Sequence, residues 1–242
     1  MISEVIWQEY ISDQPPCPHF CYYWKIQLMS EKQPSLAQAN DYLKNTSWVA
    51  LGLIHMLSDN DLRIDEFVER LDRQRQDLAL AERVTIDGQP EEIERVRRQK
   101  EKLEGTEQAL KAFNYTANIL AGSLLQIAKQ GMSIACGRIK GYPNKGRDIQ
   151  GVSLCDLVWQ GRNQAMHYET TDGANTWTGV FSTLAVTNPS VFLQSPPYES
   201  CAKAISDMLG WQRHAVYESD MRTLLLGSQG REKSETLANV VS

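Results

Sequence analysis

The stretch PEEIERVRRQKEKLEGTEQALKAF, residues 90–113, runs directly into NYTANILAGSLLQIAKQGMSIAC, residues 114–136, and the two together decide the fold. In the first, Ile93, Val96, Leu103 and Leu110 keep an alternating three-four rhythm that Lys100 and Glu107 interrupt. In the second, Phe113, Ala117, Leu120, Leu124, Ile127 and Ala128 widen that thin seam into an apolar face. The pattern predicts one long helix, charged where it starts and buried where it ends near Gly137, with Pro90 in its first turn.

Upstream, Ser35 is placed to cap a helix through Leu36, Ala39, Tyr42, Leu43, Trp48, Val49, Leu53 and Leu57. A second, charged helix is predicted over 60–83, and the turn Thr85-Ile86-Asp87-Gly88-Gln89-Pro90 folds it back on 90–113. Residues 59–112 thus read as a charged helical hairpin projecting from the body. Gly137, Gly141, Pro143, Gly146 and Gly151 mark a loop, after which Ser153 caps a helix closed by Thr170-Thr171-Asp172-Gly173. Trp177, Phe181 and Leu184 read as a short helix, although the Thr and Val content of 176–187 reads as a strand too. Ser195-Pro196-Pro197 starts a helix to about Leu209, and another covers 215–226. Near the N-terminus, Phe20, Tyr22, Trp24, Ile26 and Leu28 alternate with other residues, a small β signal that follows Pro15-Pro16-Cys17-Pro18. The expected architecture is mainly α: one helical domain over 1–227 and a flexible tail over 228–242.

With 242 residues and 42% hydrophobic content, the chain can bury a sizeable core. It holds no run of 18 apolar residues, and Met1 to Glu9 lack a basic region followed by an apolar one, which argues against membrane insertion and secretion. Cys17, Cys21, Cys136, Cys155 and Cys201 form an odd, scattered set, expected as free thiols in a reducing cytoplasm. The net charge of −5 is concentrated in residues 59–104, where 14 acidic and 10 basic side chains leave −4. Arg138, Lys140, Lys145 and Arg147 against Asp148 give +3 just before the capped helix, a local patch that can line an RNA path despite the overall sign.

That capped helix carries Leu157-Val158-Trp159-Gln160-Gly161-Arg162-Asn163-Gln164-Ala165-Met166-His167-Tyr168-Glu169. Asn163 and His167 are four apart and share a helix face, with Arg162 one position round. A permanent cation, an amide and a group that titrates near neutral pH can together grip a phosphate, orient it and move a proton. An Arg-Asn pair followed four residues later by His arises by chance on the order of 0.01 times in a chain of this composition.

Arg162-Asn163-Gln164-Ala165-Met166-His167 resembles the Arg-polar-x-x-x-His signature of the HEPN superfamily, all-helical domains that carry this motif on a late helix. The resemblance implies a metal-independent endoribonuclease built at a homodimer interface, with Arg162, Asn163 and His167 as its catalytic residues. It further implies a toxin or anti-phage effector, with RNA as substrate and an antitoxin or regulatory protein as partner. Some members are non-catalytic, so a nucleotide- or RNA-binding or dimeric regulatory module is the alternative.

No cofactor or metal is expected. Cys17-Pro18-His19-Phe20-Cys21 offers three soft ligands where zinc takes four, and His55 and His214 stand alone. The glycines of 137–151 match neither GxxxxGK[ST] nor GxGxxG, which argues against a nucleotide P-loop.

Overall fold

Two helices of 49 and 47 residues, α1 (Leu36–Val84) and α2 (Pro90–Cys136), organise the computed structural model, which describes residues 36–84, 89–136, 142–168, 174–192 and 199–227. Each is about 70 Å long at 1.5 Å per residue. They run antiparallel, as the pairs Tyr42 to Ile127, Asn60 to Phe113, Arg75 to Glu107 and Glu82 to Lys100 record. The single helix expected for 90–136 is present, and Glu91 and Glu92 in its first turn complement the positive end of the helix dipole.

Upstream the expectation needs correction: the two helices read for 35–57 and 60–83 are one. Ser58-Asp59-Asn60 has the residue types of a break. Asn60, however, is buried, and its side-chain amide donates to the Phe113 carbonyl of α2 at 3.0 Å. Its polar group is satisfied across the helix pair, so it does not compete with its own backbone for the hydrogen bonds of the turn. The ring of Phe67 then packs on that of Phe113, with centroids 5.2 Å apart.

The helix pair has two regimes. From α1 the core takes Ala39, Ala50, Ile54 and Leu57, and from α2 Ala117, Ala121, Leu124, Leu125, Ala128 and Met132. Among the described residues, none between 65 and 116 joins that core cluster. The distal arm buries Leu71, Ala81 and Thr106. Its cross-helix ion pairs, Arg75 to Glu107 and Lys100 to Glu82, lie among exposed side chains, where such a pair contributes about 0–1 kcal/mol.

The body is completed by α3 (Leu154–His167), α4 (Ala174–Ala185), α5 (Pro189–Phe192), α6 (Ala202–Leu209) and α7 (His214–Leu226). The stretch 176–187, open between helix and strand in the sequence, is thus helical through Ala185. The helix expected from Ser195 starts later, at Ala202, because the backbone before it is held elsewhere: Glu199 O accepts from Gln164 Nε2, and Cys201 N donates to Gln164 Oε1. Gly210, at φ 69°, closes α6 by donating to Asp207 O while Trp211 N reaches Ser206 O.

The small sheet falls between α2 and α3: β1 (Asp148–Ile149) pairs antiparallel with β2 (Val152–Ser153). Gln150 and Gly151 turn it with positive φ at both positions, the requirement of a tight hairpin. The expected strand over 20–28 lies outside the described residues, as do Cys17, His19 and Cys21, the turn 85–88, the segment 169–173, the proposed helix start at 195–197 and the tail 228–242.

Loop 142–147 is anchored on α7. Tyr142 Oη and Asn144 Nδ2 both donate to Leu224 O, and Arg147 places Nε and one Nη on the two oxygens of Asp220, at 2.9 and 2.8 Å. Asp220 also accepts from Trp211 Nε1 at 2.9 Å. Arg147 in turn fixes the start of α3, since its carbonyl accepts from Leu154 N.

Replacing Arg147 with Met should leave the Asp220 carboxylate, 8% exposed, with the indole N–H as its sole remaining direct partner among these contacts. The expected loss is about 3 kcal/mol, the low end for breaking a buried pair, because the arginine is itself 42% exposed. Urea unfolding followed by tryptophan fluorescence measures it; a change under about 0.5 kcal/mol would mean the pair does not anchor the loop.

Candidate functional site

Ser153 begins the motif helix in the expected way. It is extended (φ −69°, ψ 146°), and its hydroxyl accepts from Asp156 N at 3.1 Å while donating to the Asp156 carboxylate at 2.6 Å. From that cap, 3.6 residues per turn divide α3 into two faces. Leu154, Cys155, Leu157, Val158, Gly161 and Gln164 are buried. Trp159, Gln160, Arg162, Asn163, Met166 and His167 lie on the other, partly or fully exposed face.

Two residues fix which face turns inward. At Gly161 a Cβ would stand 2.8 Å from Ile205 Cδ1 of α6, so the missing side chain permits the close approach of the two helices. Gln164 is fully buried, and both ends of its amide hold the backbone ahead of α6, at 2.8 Å to Glu199 O and 2.9 Å from Cys201 N. The middle of the Arg-Asn-Gln-Ala-Met-His run is therefore structural.

The outward face is tied to α2. Arg162 Nε donates to Gln126 Oε1, and an Arg162 Nη reaches Asn163 Oδ1 at a long 3.5 Å. Asn163 Nδ2 in turn approaches Gln160 Oε1 at 3.4 Å. These last two contacts are at the weak end of the hydrogen-bond range, so the amide of Asn163 is easily redirected. No carboxylate among the described residues pairs with Arg162. His167 closes the helix, exposed, with Tyr168 at the C-cap.

Lys129 stands beside them, one turn past Gln126 on α2. Its ammonium lies 4.8 Å from the centroid of the Trp159 ring, and burial, then the neighbouring Arg162 charge, lower its pKa from the ordinary lysine value. The reading of α2 as a core helix missed this residue. Its signal in the sequence is isolation: Lys129 is the one charged residue between Lys111 and Arg138.

The basic loop sits elsewhere. Lys145 O accepts from Cys155 N at the start of α3, and Lys145 Nζ is 3.3 Å from Asp156; Arg147 is engaged by Asp220. His167 ends the same 14-residue helix, about 20 Å along its axis. Lys145 and Arg147 are thus at the far end of α3 from His167, and Arg138 and Lys140 lie outside the described residues.

Alongside the motif, between α1, α2 and the end of α3, runs a groove of about 1340 Å³ lined by Val49, Leu53, Tyr115, Ile119, Gln126 and Met166 among others. Met166 is 55% exposed at its edge. Cys155 and Cys201 are buried and in no disulfide, and burial pushes Cys201 up to about 11, which keeps it protonated and unsuited to act as a nucleophile near neutral pH. Among the described residues no three His, Cys, Asp or Glu side chains are grouped to hold a metal ion, and no helix is long and apolar enough to cross a membrane.

No family model matches the chain, and neither does any curated protein or solved structure.

The division of α3 into faces has a measurable consequence. Gln164→Leu should cost about 2 kcal/mol, because it leaves the buried Cys201 N–H, and the part-buried Glu199 carbonyl, without their partner. Asn163→Ala, on the exposed face, should stay within about 0.5 kcal/mol. Thermal or urea unfolding distinguishes them, and the reverse order would mean that α3 is rolled the other way.

Proposed function

We propose that this chain is a metal-independent endoribonuclease of HEPN type, acting as a homodimer. The observation that carries the reading is the outward face of α3. Arg162 is held there by the neutral oxygens of Gln126 and Asn163 with no described carboxylate cancelling its charge, five residues along the helix from the exposed imidazole of His167. A guanidinium in that condition suits a phosphate.

The reaction follows from what those groups do. A base removes the 2′-OH proton of the ribose; the oxygen attacks the adjacent phosphorus; the bond to the 5′ oxygen breaks, and an acid protonates the leaving oxygen. A 2′,3′-cyclic phosphate and a 5′-hydroxyl result. Arg162 holds the phosphate and offsets the charge that builds on it, while Asn163, loosely bonded, orients the substrate or the imidazole. One chain supplies one His167, whereas the step uses a base and an acid. Two α3 faces brought together across a two-fold axis supply both. The exposed Met166 and the apolar groove beside it support such a contact.

The same groove favours a second reading, a binding module that holds RNA or a protein without cutting. One assay separates the two. Incubated with single-stranded RNA in EDTA, the protein should cut it, leave 2′,3′-cyclic phosphate ends and spare a substrate with a 2′-deoxy nucleotide at the scissile position. His167→Ala and Arg162→Ala should each lower the rate at least ~10²-fold with unchanged circular dichroism. RNA bound but uncut favours the binding module. Activity lost in EDTA and restored by magnesium or manganese, or His167→Ala cutting at the wild-type rate, would overturn the enzymatic reading.

A further inference from the structure

We propose that Lys129 and Arg162 form one two-cation seat for a phosphodiester, so that the RNA site written on α3 is completed from α2. This rests on the reading of the α3 face as an RNA site and adds a binding residue that lies outside the motif.

Four observations meet here. Lys129 is the one charged side chain in the long uncharged run of α2, yet it falls at the crossing with the motif helix. Its Nζ is set over the indole of Trp159, three residues before Arg162 on α3. Gln126, one turn before Lys129, accepts from Arg162 Nε, so both cations are held by the same two helix turns. Neither Lys129 nor Arg162 forms an ion pair among the described residues, whereas Lys145, Arg147 and Lys203 all do.

Placing two like charges together costs free energy. Partial burial, and after it the charge of Arg162, lowers the pKa of Lys129. The partners that hold the two cations, an indole face and two side-chain amide oxygens, are neutral. They fix position and leave the charge uncancelled. A phosphodiester is the group whose chemistry answers this arrangement: one negative charge over two non-bridging oxygens, one for the guanidinium fork and one for the ammonium. The indole keeps the lysine stem from folding away, so the ammonium is set in place before the ligand arrives.

The test uses the full chain and an uncleavable probe, a fluorescein-labelled single-stranded 2′-O-methyl oligonucleotide, followed by anisotropy over a series of salt concentrations. Lys129→Gln should weaken binding about tenfold and lower the slope of log affinity against log salt by about 0.7, the value for one phosphate contact on a single strand. Lys129→Arg should restore most of the affinity, and Lys102→Gln on the distal arm should change neither quantity. As a check independent of any substitution, reductive ¹³C-methylation of the wild-type lysines gives Lys129 its own resonance, assigned by its loss in Lys129→Arg. That resonance should move on adding the probe.

Wild-type affinity and slope in Lys129→Gln, or a Lys129 resonance that the bound probe leaves unmoved, would overturn the proposal. If Arg162→Gln still weakens binding in that case, the RNA reading of α3 stands without Lys129. If the wild-type protein does not bind the probe at all, the RNA reading falls and the seat falls with it.

Discussion

A side-chain amide buried in the middle of a helix must find both a donor and an acceptor, and Gln164 finds them on the backbone at Glu199 and Cys201. Much of the rest is conditional on this. With Gln164 turned inward, the helical repeat turns Arg162, Asn163 and His167 toward solvent. With Glu199 and Cys201 taken by Gln164, α6 begins at Ala202, where Lys203 N is received by Asn118 Oδ1 of α2. Rolling α3 by one residue would bury a guanidinium and leave two backbone groups, Glu199 O and Cys201 N, without their partner. Free energy of several kcal/mol separates those two arrangements.

The helices were legible where apolar spacing is the whole signal. Residues 90–136 carry their period through a change of regime, from the seam of Ile93 and Val96 to the face of Ala117, Ala121 and Leu124, and the isolated glycines Gly105, Gly122 and Gly131 do not interrupt it. The cap at Ser153 was equally plain, because an N-cap serine followed by an acidic residue three positions on is a local interaction. What failed were boundaries set by partners distant in sequence. Asn60 looks like a break until Phe113 is alongside it, and the start of α6 cannot be read without Gln164.

The candidate site divides in the same way. Its motif residues are contiguous, so their sharing of a face follows from the helix alone. Lys129 and Gln126 belong to it through the crossing of α2 and α3, which no local pattern announces. The basic loop illustrates the converse. Arg138, Lys140, Lys145 and Arg147 sum to a positive patch on paper, yet two of them lie beyond the described residues and two have carboxylate partners: Lys145 an exposed one in Asp156, Arg147 a buried one in Asp220. Summed charge says little about a patch until each cation's counter-ion is known.

The length of α2 carries a mechanical consequence. A helix is stiff about and along its axis, and this one runs unbroken from Pro90 at the far end of the charged arm to Cys136. Gln126 and Lys129 are therefore on the same rod as the arm. The arm adds little to the core, so a torque applied to it would pass along the rod toward Gln126 and be resisted by the packed turns from Ala117 to Met132. A roll of one residue at Gln126 swings its oxygen by 100° about the axis, out of reach of Arg162. The charged arm and the acceptor of Arg162 thus share one lever, pivoted where α2 enters the core.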